Sequence, residues 1–333
     1  MRHNQVYLCG VIQDAPKIRK QSDKQLAEFR LITITGRRSG GLQLNSGEYD
    51  TPLIVATDPE RVAEIEKIQV GDIVTVKGAI TTTKVFKTPR CPNCGQPQRI
   101  PGMLTYISPS CVTVSSPKAC IGQYGVFDKN IAVAKLKEIK EISNYATVLG
   151  VVCTPPKPYK SEGDKKRRIV SYQLATKRKF RVIGNLEDAT VDFPWVKSYG
   201  KIGINDARYI NKGTYVFVDG WVRARKFERP ATCEHCGSNF YWTDVTQELV
   251  SYATEYLKNY NEVSHDEDSI RRDIEQIYKD RKTIINEADI EEDKIEETKA
   301  KEEAIEELKN LDAYLKELDA IEDENEETEE DDD

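Results

Sequence analysis

The stretch GDIVTVKG at residues 71–78 recurs as GTYVFVDG at residues 213–220, with glycine at both ends of each copy. Thirteen residues after each copy comes a Cys-x-x-Cys-Gly motif, CPNCG at residues 91–95 and CEHCG at residues 233–237. Self-similarity at a fixed offset, here 142 residues, is the signature of a repeated structural unit. The chain is therefore predicted to contain two copies of one domain.

The repeat extends upstream of this stretch. NQVYLCG at residues 4–10 matches NYATVLG at residues 144–150, with asparagine and glycine six positions apart in both and an offset of 140 residues. Asp50 and Asp192 each begin an Asp-x-Pro motif. Because the matches follow the same order in both copies, chance is a poor explanation for them.

The apolar patterning predicts the same short elements in each copy. In the first copy, strands are predicted over residues 5–12, 28–35, 50–56, 73–85 and 106–114, with a helix over residues 59–67 after Asp58 as its N-cap. In the second copy, strands are predicted over residues 145–153, 168–180, 192–198, 213–226 and 240–250, with only a short turn at residues 206–211. Three strands, a helix and two strands, with a glycine bend in the fourth, is the plan of an OB barrel. The sequence thus predicts a mainly β fold of two tandem OB-fold barrels.

The domain boundaries follow from this repeat. We expect a first barrel over residues 1–118, a linker over 119–142, a second barrel over 143–250, a helical segment over 251–321 and a disordered acidic tail over 322–333. Apolar residues recur at helical spacing between residues 270 and 318, which fits two antiparallel helices or one helix in a coiled coil.

The formal net charge of −7 conceals two regions of opposite sign. Residues 261–333 contain 10 Lys and Arg against 31 Asp and Glu, whereas the preceding 260 residues contain 39 against 25, so the charges are −21 and +14. A basic body with an acidic arm is typical of a polyanion binder that carries its own competing polyanion. A solvated tail that only improves solubility is the alternative interpretation.

At these motifs the first copy resembles the single-stranded-DNA-binding proteins of the bacterial and phage OB-fold type. The similar residues are the opening Asn-x-Val-x-Leu-x-Gly-x-Ile from Asn4, Phe29-Arg30-Leu31, and residues 71–78 after the helix. The resemblance implies sequence-tolerant binding and protection of single-stranded DNA in replication, recombination or repair, with replication or recombination proteins as partners of the acidic arm. The chain departs from the family's common form in its cysteine motifs and in a tail that ends Asp331-Asp332-Asp333 without an apolar tip. A phage-encoded member is the expected source.

A binder of single strands needs cations for phosphates and flat side chains on which bases stack. With the period of a strand, Tyr215, Phe217 and Trp221 share one face of the fourth strand of the second copy, and valines occupy the other. Stacking on bases and packing under the C-terminal helix both stay open for these aromatics, and Trp195 fits either a stacking or a core position. The candidate nucleic-acid-binding residues are Arg30, Arg37, Arg38, Lys77, Lys84, Phe86, Lys166, Arg167, Arg168, Lys177, Lys179, Trp195, Tyr215, Phe217, Trp221, Arg223, Arg225 and Phe227.

The two Cys-x-x-Cys-Gly motifs are half-sites of a zinc ribbon. A closed structural zinc site takes four ligands, and no cysteine follows the second motif. The simplest complete set is Cys91, Cys94, Cys233 and Cys236, which would clamp the two copies together around one structural Zn²⁺. The rival set takes Cys111 and Cys120 with the first motif. Cys9 and Cys153 lie in predicted strands and are expected to be buried thiols.

Other classes of protein fit the sequence less well. It contains no phosphate-binding Gly-x4-Gly-Lys-Ser/Thr motif and no His-Glu-x-x-His, so we do not expect an enzyme. It contains no apolar run long enough to span a membrane, and the N-terminus lacks an apolar signal region, so we expect a cytoplasmic protein, in the host cytoplasm if it is phage-encoded. The alternative function is RNA binding, or a scaffold in a replication or transcription complex, because OB barrels serve all of these.

Overall fold

The computed structural model describes residues 2–21, 24–34, 49–160, 168–180, 182, 191–262 and 272. The strands are β1 (Asn4–Val11), β2 (Lys17–Gln21), β3 (Lys24–Arg30), β4 (Thr33–Ile34), β5 (Tyr49–Asp50), β6 (Leu53–Ala56), β7 (Ile73–Lys87), β8 (Ile100–Ser116), β9 (Asn144–Val152), β10 (Lys157–Lys160), β11 (Arg168–Lys177), β12 (Val191–Asp192), β13 (Trp195–Tyr199), β14 (Tyr215–Thr232) and β15 (Asn239–Lys258). The helices are α1 (Pro59–Ile65), α2 (Lys129–Glu138) and α3 (Gly200–Tyr209). The fold is mainly β, which confirms that prediction. None of the described helices is long and apolar enough to cross a membrane.

Five strands of the first half close into a ring. β1 pairs with β7, β7 with β8, β8 with β6 and β6 with β3, and only the β6–β8 pair is parallel. The ring closes where Ile32 and Val11 exchange two backbone hydrogen bonds of 3.0 Å. Helix α1 lies between the third and fourth strands of the ring in chain order. Its N-cap is Asp58, as predicted, and the Asp58 side chain accepts a hydrogen bond from the Glu60 amide at 3.0 Å.

The second half repeats this ring with β9, β14, β15, β13 and β11. The parallel pair, β13 with β15, places Val196 opposite Leu249, as Ile54 stands opposite Ile107 in the first half. Helix α3 takes the position of α1, so the prediction of only a short turn at residues 206–211 is wrong. Glycines weaken the helical pattern of this segment in the sequence, and tertiary contacts stabilise the helix. Buried Asp206 accepts a hydrogen bond from the Tyr256 hydroxyl at 2.7 Å.

The two halves join through their first strands. β1 and β9 pair antiparallel with Val6 opposite Ala146, two positions that are equivalent at the 140-residue offset. A pseudo-twofold axis therefore passes through this pair. Apolar residues of both halves, Leu8 and Val148 among them, belong to one continuous core. The two rings are thus packed as one body and not strung on a linker.

The repeated asparagines have a structural purpose at this joint. The Asn4 side chain accepts a hydrogen bond from the Ile80 amide at 2.9 Å and donates one to the Ile80 carbonyl at 2.8 Å. Asn144 makes the same pair with Val222, at 2.9 and 2.8 Å. Ile80 and Val222 each lie two residues beyond the glycine at which the fourth strand loses its pairing to the first. A carboxamide offers one donor edge and one acceptor, so it replaces the missing backbone partner.

Replacing Asn144 with alanine is expected to lower the free energy of unfolding by at least about 2 kcal/mol. The substitution leaves a buried N–H and a buried C=O of Val222 without partners, at about 1–3 kcal/mol for each group. Urea denaturation measures the change, and Asn130→Ala, at an exposed position of α2, is the matched control. A variant as stable as the wild type at position 144 would contradict this role.

The structure also corrects the predicted segments. The predicted linker, residues 119–142, contains α2, whose Ala132 and Leu136 pack against Cys9 in a second apolar cluster. The predicted helical segment begins too early, because β15 continues to Lys258. Residues 251–258 mix helix-forming and strand-forming side chains, and pairing with β14 as far as Tyr215 makes them a strand. The predicted helices and acidic tail beyond this point lie outside the described residues.

Candidate nucleic-acid interface and cysteine cluster

Two long hairpins, β7–β8 and β14–β15, meet at their tips in a cluster of four cysteines. The sulfurs of Cys91, Cys94, Cys233 and Cys236 all lie within 4.8 Å of one another. The Cys91 and Cys236 sulfurs are 3.8 Å apart, and those of Cys94 and Cys233 are 3.5 Å apart. Each pair joins the two halves, so the structure brings together the set that the sequence favours. In the rival set, Cys111 lies on β8 and Cys120 is buried beside α2.

The two motifs have the same backbone geometry. The Gly95 amide donates to the Cys91 carbonyl at 2.8 Å, and the Gly237 amide donates to the Cys233 carbonyl at 2.9 Å. Both glycines have φ near +70°, a conformation that disfavours any side chain. This turn aims backbone amides at the sulfurs: the Cys94 and Asn93 amides donate to the Cys91 thiol.

The surroundings favour the thiolate form of Cys91 and Cys236, and the spacing of the sulfurs matches a tetrahedral ion. Without an ion, the pKa of Cys94 is raised to about 12: the Gln96 amide lowers it, but burial and the other three sulfurs raise it. The Ser238 hydroxyl lies 3.0 Å from the Cys236 sulfur and lowers the pKa of that thiol to about 5, helped by the Ser238 backbone amide and the Asn93 side-chain amide. The same hydroxyl lowers the pKa of Cys91. Sulfurs bound tetrahedrally at about 2.3 Å from zinc stand about 3.8 Å apart. The observed separations of 3.5 and 3.8 Å fit such an ion.

Polar contacts clamp the hairpins below the cysteines. Asp244 of β15 binds Lys87 of β7 and, at 2.9 Å, Arg229 of β14. Lys87 and Arg229 are equivalent at the 142-residue offset, so one carboxylate binds the same position of both halves. The Glu234 amide also donates to the Gln98 side chain at 2.8 Å across the tips. The two hairpins are thus held in a fixed relation along their length.

The repeated Asp-x-Pro motifs lie at the contact between the halves. The Asp192 carboxylate accepts a hydrogen bond from the Thr82 amide of β7 at 2.8 Å and binds Arg178 at 2.6 Å. Asp50 is bonded in the equivalent way to the backbone of Ala224 on β14. Burial raises the pKa of Asp192 to about 6 and that of Asp50 to about 7. Each half therefore inserts a buried carboxyl group beside the bent strand of the other.

Stability is expected to fall as the pH rises from about 4 to about 7, partly because of Asp50. Its raised pKa means that the folded protein keeps a proton that an unfolded aspartate, with a pKa of about 3.9, releases. The contribution is present below the unfolded pKa and is lost as the pH passes the folded value, at most about 4 kcal/mol. Asp50→Asn should flatten this part of the pH profile, measured by urea denaturation between pH 4 and 8. Profiles that stay parallel would contradict the assignment.

The predicted face of β14 forms, but most of its side chains are engaged within the protein. Val216, Val218 and Val222 point into the core, as predicted. Trp221 packs on Tyr252 with ring centroids 4.5 Å apart, and its indole hydrogen bonds to Asp50. The Trp221 ring is therefore already packed within the protein and is not an open platform for a base.

The arginines of that face are engaged as well. Arg223 donates to the Tyr199 hydroxyl at 2.9 Å. Arg225 is buried, which contradicts its expected exposure, and it lies 4.0 Å from the Glu248 carboxylate. Although burial opposes ionisation, Lys197 and Arg225 together lower the pKa of Glu248. Buried charges persist where partners compensate them, so this network belongs to the structure of the joint.

The other predicted residues fall into three groups. Lys77, Lys84, Phe86, Lys177 and Lys179 are exposed, and Trp195, Tyr215, Phe217 and Phe227 are half-buried. Arg30 is half-buried and donates to the Thr51 carbonyl at 2.8 Å, and the Phe227 ring has Arg225 and Arg229 at 6.0 and 5.9 Å. Arg37, Arg38, Lys166 and Arg167 lie outside the described residues, as does the side chain of Arg168.

A strip of exposed aromatic and basic side chains runs along β7 instead. Lys84 and Phe86 share one face with Thr82, and the Phe193 amide donates to the Thr82 hydroxyl at 2.9 Å. Phe86 is 58% exposed and Phe193 is 37% exposed. The Arg99 guanidinium lies 4.0 Å from the centre of the Phe86 ring. Lys177 at the end of β11 pairs with Val191, two residues before Phe193. We call Lys177, Phe193, Lys84, Phe86 and Arg99 the β7 strip.

The sequence had placed the richer aromatic surface on the second copy. The structure places three residues of this exposed strip on the first copy and adds Phe193 and Lys177 from the second. Arg99 and Phe193 were not identified from the sequence. Phe193 lies inside the repeated Asp-x-Pro motif, which was the available signal. Its neighbour on β7 could not be known, because 111 positions separate Phe193 from Thr82.

The chain has sequence similarity to one known protein and loose structural similarity to others. The chain is 26% identical over 123 residues to the single-stranded DNA-binding protein of Staphylococcus epidermidis (strain ATCC 12228 / FDA PCI 1200), covering 37% of this chain and 85% of that protein. No family model matches the chain. Among solved structures, the wild-type single-stranded DNA binding protein from Thermus aquaticus matches with a TM-score of 0.48 at 10% identity, covering 79% of this chain and 98% of that one. A small single-stranded DNA-binding protein from Streptomyces coelicolor matches with a TM-score of 0.23 at 17% identity, covering 34% and 92%. The chain is thus similar, at low identity, to proteins that bear this name.

Proposed function

We propose that this protein binds and protects single-stranded DNA without sequence preference, in replication, recombination or repair. The β7 strip supports this most directly, because it gathers three cations and two exposed aromatic rings on and beside one strand. A single strand presents phosphates and base faces together, and each base stacked on a ring contributes about 1–3 kcal/mol. The named relatives are single-stranded DNA-binding proteins, which agrees with this chemistry.

We interpret the two five-stranded rings as two OB barrels that offer one continuous surface. Asp192 ties Phe193 of the second ring to Thr82 of the first, so the β7 strip crosses the joint between them. The exposed face of β7, the contact between the two rings and the tip of the β7–β8 hairpin thereby form one path for a bound strand. The acidic arm, with a charge of −21, is proposed as the partner-binding or competing element.

We further propose that Cys91, Cys94, Cys233 and Cys236 hold one structural Zn²⁺. Four thiolates form a closed site that leaves no position for a reactive water, so the ion would serve structure and not catalysis. It would fix the two hairpin tips relative to each other, and with them the end of the β7 strip. Cys236 is exposed and Cys91 and Cys233 are buried, so the site lies at the surface with one side open to metal exchange.

A titration with poly(dT), poly(U) and duplex DNA tests the proposed function. The protein is expected to prefer poly(dT) to duplex at every salt concentration, and log affinity should fall linearly with log salt. For single strands the slope is about −0.7 per phosphate neutralised. Preference for poly(U) would favour the RNA-binding alternative. Equal or tighter binding to duplex would refute the proposal.

A further inference from the structure

An apolar row on the outer side of the first ring is covered by helix α2. The row consists of Cys9 and Val11 on β1 and Ile73 on β7, with Val11 directly opposite Ile73. All three are buried, at 4%, 0% and 5% exposure, and they form one cluster with Ala132 and Leu136 of α2. The helix therefore completes the first ring on this side.

The second ring carries the equivalent row. Leu149, Val151 and Tyr215 stand at the offsets of the repeat, and Val151 lies directly opposite Tyr215. Phe217 and Leu257 continue the row on β14 and β15. Leu149 is buried at 5% exposure, as Cys9 is at 4%, but Val151 is 37% exposed and Leu257 is 48% exposed, whereas Val11 is fully buried. We call these five residues the β9–β15 row.

The chain leaves both rings at the same place. β8 ends at Ser116 and β15 ends at Lys258, two positions that are 142 residues apart. The Cys120 amide then donates to the Gly71 carbonyl at 2.9 Å, and the Asn261 amide donates to the Tyr209 carbonyl at 2.9 Å. The Thr214 hydroxyl also donates to the Asn259 carbonyl at 2.8 Å, so both exits return to the region between the ring's helix and its fourth strand. After the first exit the chain forms α2.

Charge on the row also suits the chain that follows. A cavity of about 460 Å³ lies over the row and is lined by Arg2, His3, Leu149, Lys179, Phe217, Glu255 and Leu257. Its cations outnumber its one carboxylate. The sequence after Glu262 carries Asp266, Glu267 and Asp268 before the apolar positions. At the 142-residue offset, Ala132 and Leu136 of α2 correspond to Ile274 and Tyr278, which are apolar at the same spacing.

We propose that residues 263–284, of which the structure describes only Arg272, cover the β9–β15 row as α2 covers its equivalent. Ile274 and Tyr278 fill the cavity between Phe217 and Leu257, and the acidic residues before them face Arg2 and Lys179. The acidic arm is thereby anchored on the second ring. Tyr215 and Phe217 pack under the arm and do not stack on bases. This proposal stands independently of DNA binding.

Hydrogen–deuterium exchange on the full-length protein tests the docking. Amides at residues 270–280 are expected to exchange at least about tenfold more slowly than those at residues 322–333. Ile274→Asp and, separately, Leu257→Asp should abolish that protection, because each places a charge in the apolar contact. Val126→Asp, at a loop position that is 66% exposed, is the matched control and should leave the protection intact.

Ile274→Asp changes a residue beyond the rings, so exchange in β1 to β8 should stay as in the wild type. Equal exchange at residues 270–280 and 322–333 in the wild type would overturn the proposal. So would protection that survives both substitutions. Protection of the β9–β15 row that arises only when poly(dT) is added would assign the row to DNA and overturn the proposal as well.

Discussion

Replacing Phe86 or Phe193 with alanine should weaken binding to a thymidine oligonucleotide about five- to 150-fold for each substitution. The expectation follows from the loss of about 1–3 kcal/mol of base stacking per ring. Both rings are exposed in the unbound protein, so their removal costs little folding stability and the loss appears in binding. Fluorescence anisotropy at fixed salt concentration measures the affinity.

Tyr124→Ala is the control for these substitutions. Tyr124 is 90% exposed but lies in the loop between β8 and α2, away from the β7 strip, so its removal should change affinity by less than about twofold. Lys84→Ala should instead reduce the salt slope by about 0.7, since it removes one phosphate contact. If Phe86→Ala and Phe193→Ala bind as tightly as Tyr124→Ala, the strand does not follow the β7 strip.

Cys91→Ser and Cys233→Ser are each expected to reduce the zinc content from about one ion per chain to nearly none. Each substitution removes one of four ligands from the same ion, although the two cysteines belong to different halves. Because metal binding contributes directly to folding in such sites, thermal stability should fall in both variants to a similar extent. Elemental analysis after dialysis gives the stoichiometry.

Cys111→Ser provides the matched control, because it changes a cysteine of the rival set that lies outside the cluster. It should keep the full zinc content. Full zinc content in Cys233→Ser would show that the second motif is not a ligand pair. Loss of zinc in Cys111→Ser would show that the ion lies within the first half instead.

The repeat and its consequences could be predicted from the sequence. Strands have a side-chain period of two, so the valines of β14 were assigned correctly to the interior. A closed zinc site needs four ligands and no cysteine follows the second motif, so the sequence favoured Cys91, Cys94, Cys233 and Cys236 over the rival set, and the structure brings these four together. These inferences rest on local periodicity and on coordination number, neither of which depends on knowing the rest of the fold.

Contacts between residues that are distant in sequence decided the rest of the fold. Residues 251–258 have a mixed composition that favours neither helix nor strand, and their pairing with β14 makes them a strand. The segment at residues 200–209 forms α3 for a similar reason, since Tyr256 of β15 bonds to its Asp206.

The candidate site shows the same division. The two-residue side-chain period of a strand correctly placed Trp221 and Arg225 on one face of β14. It could not show that Asp50 lies against Trp221 and Glu248 against Arg225. Nor could it bring Phe193 to Thr82, because that contact exists only once the two rings have joined. The sequence by itself determined the repeat, the strands' inner faces and the four-cysteine set, since these follow from local spacing. Only the tertiary structure decided which aromatic and basic side chains reach solvent, because exposure depends on what the rest of the chain packs against them.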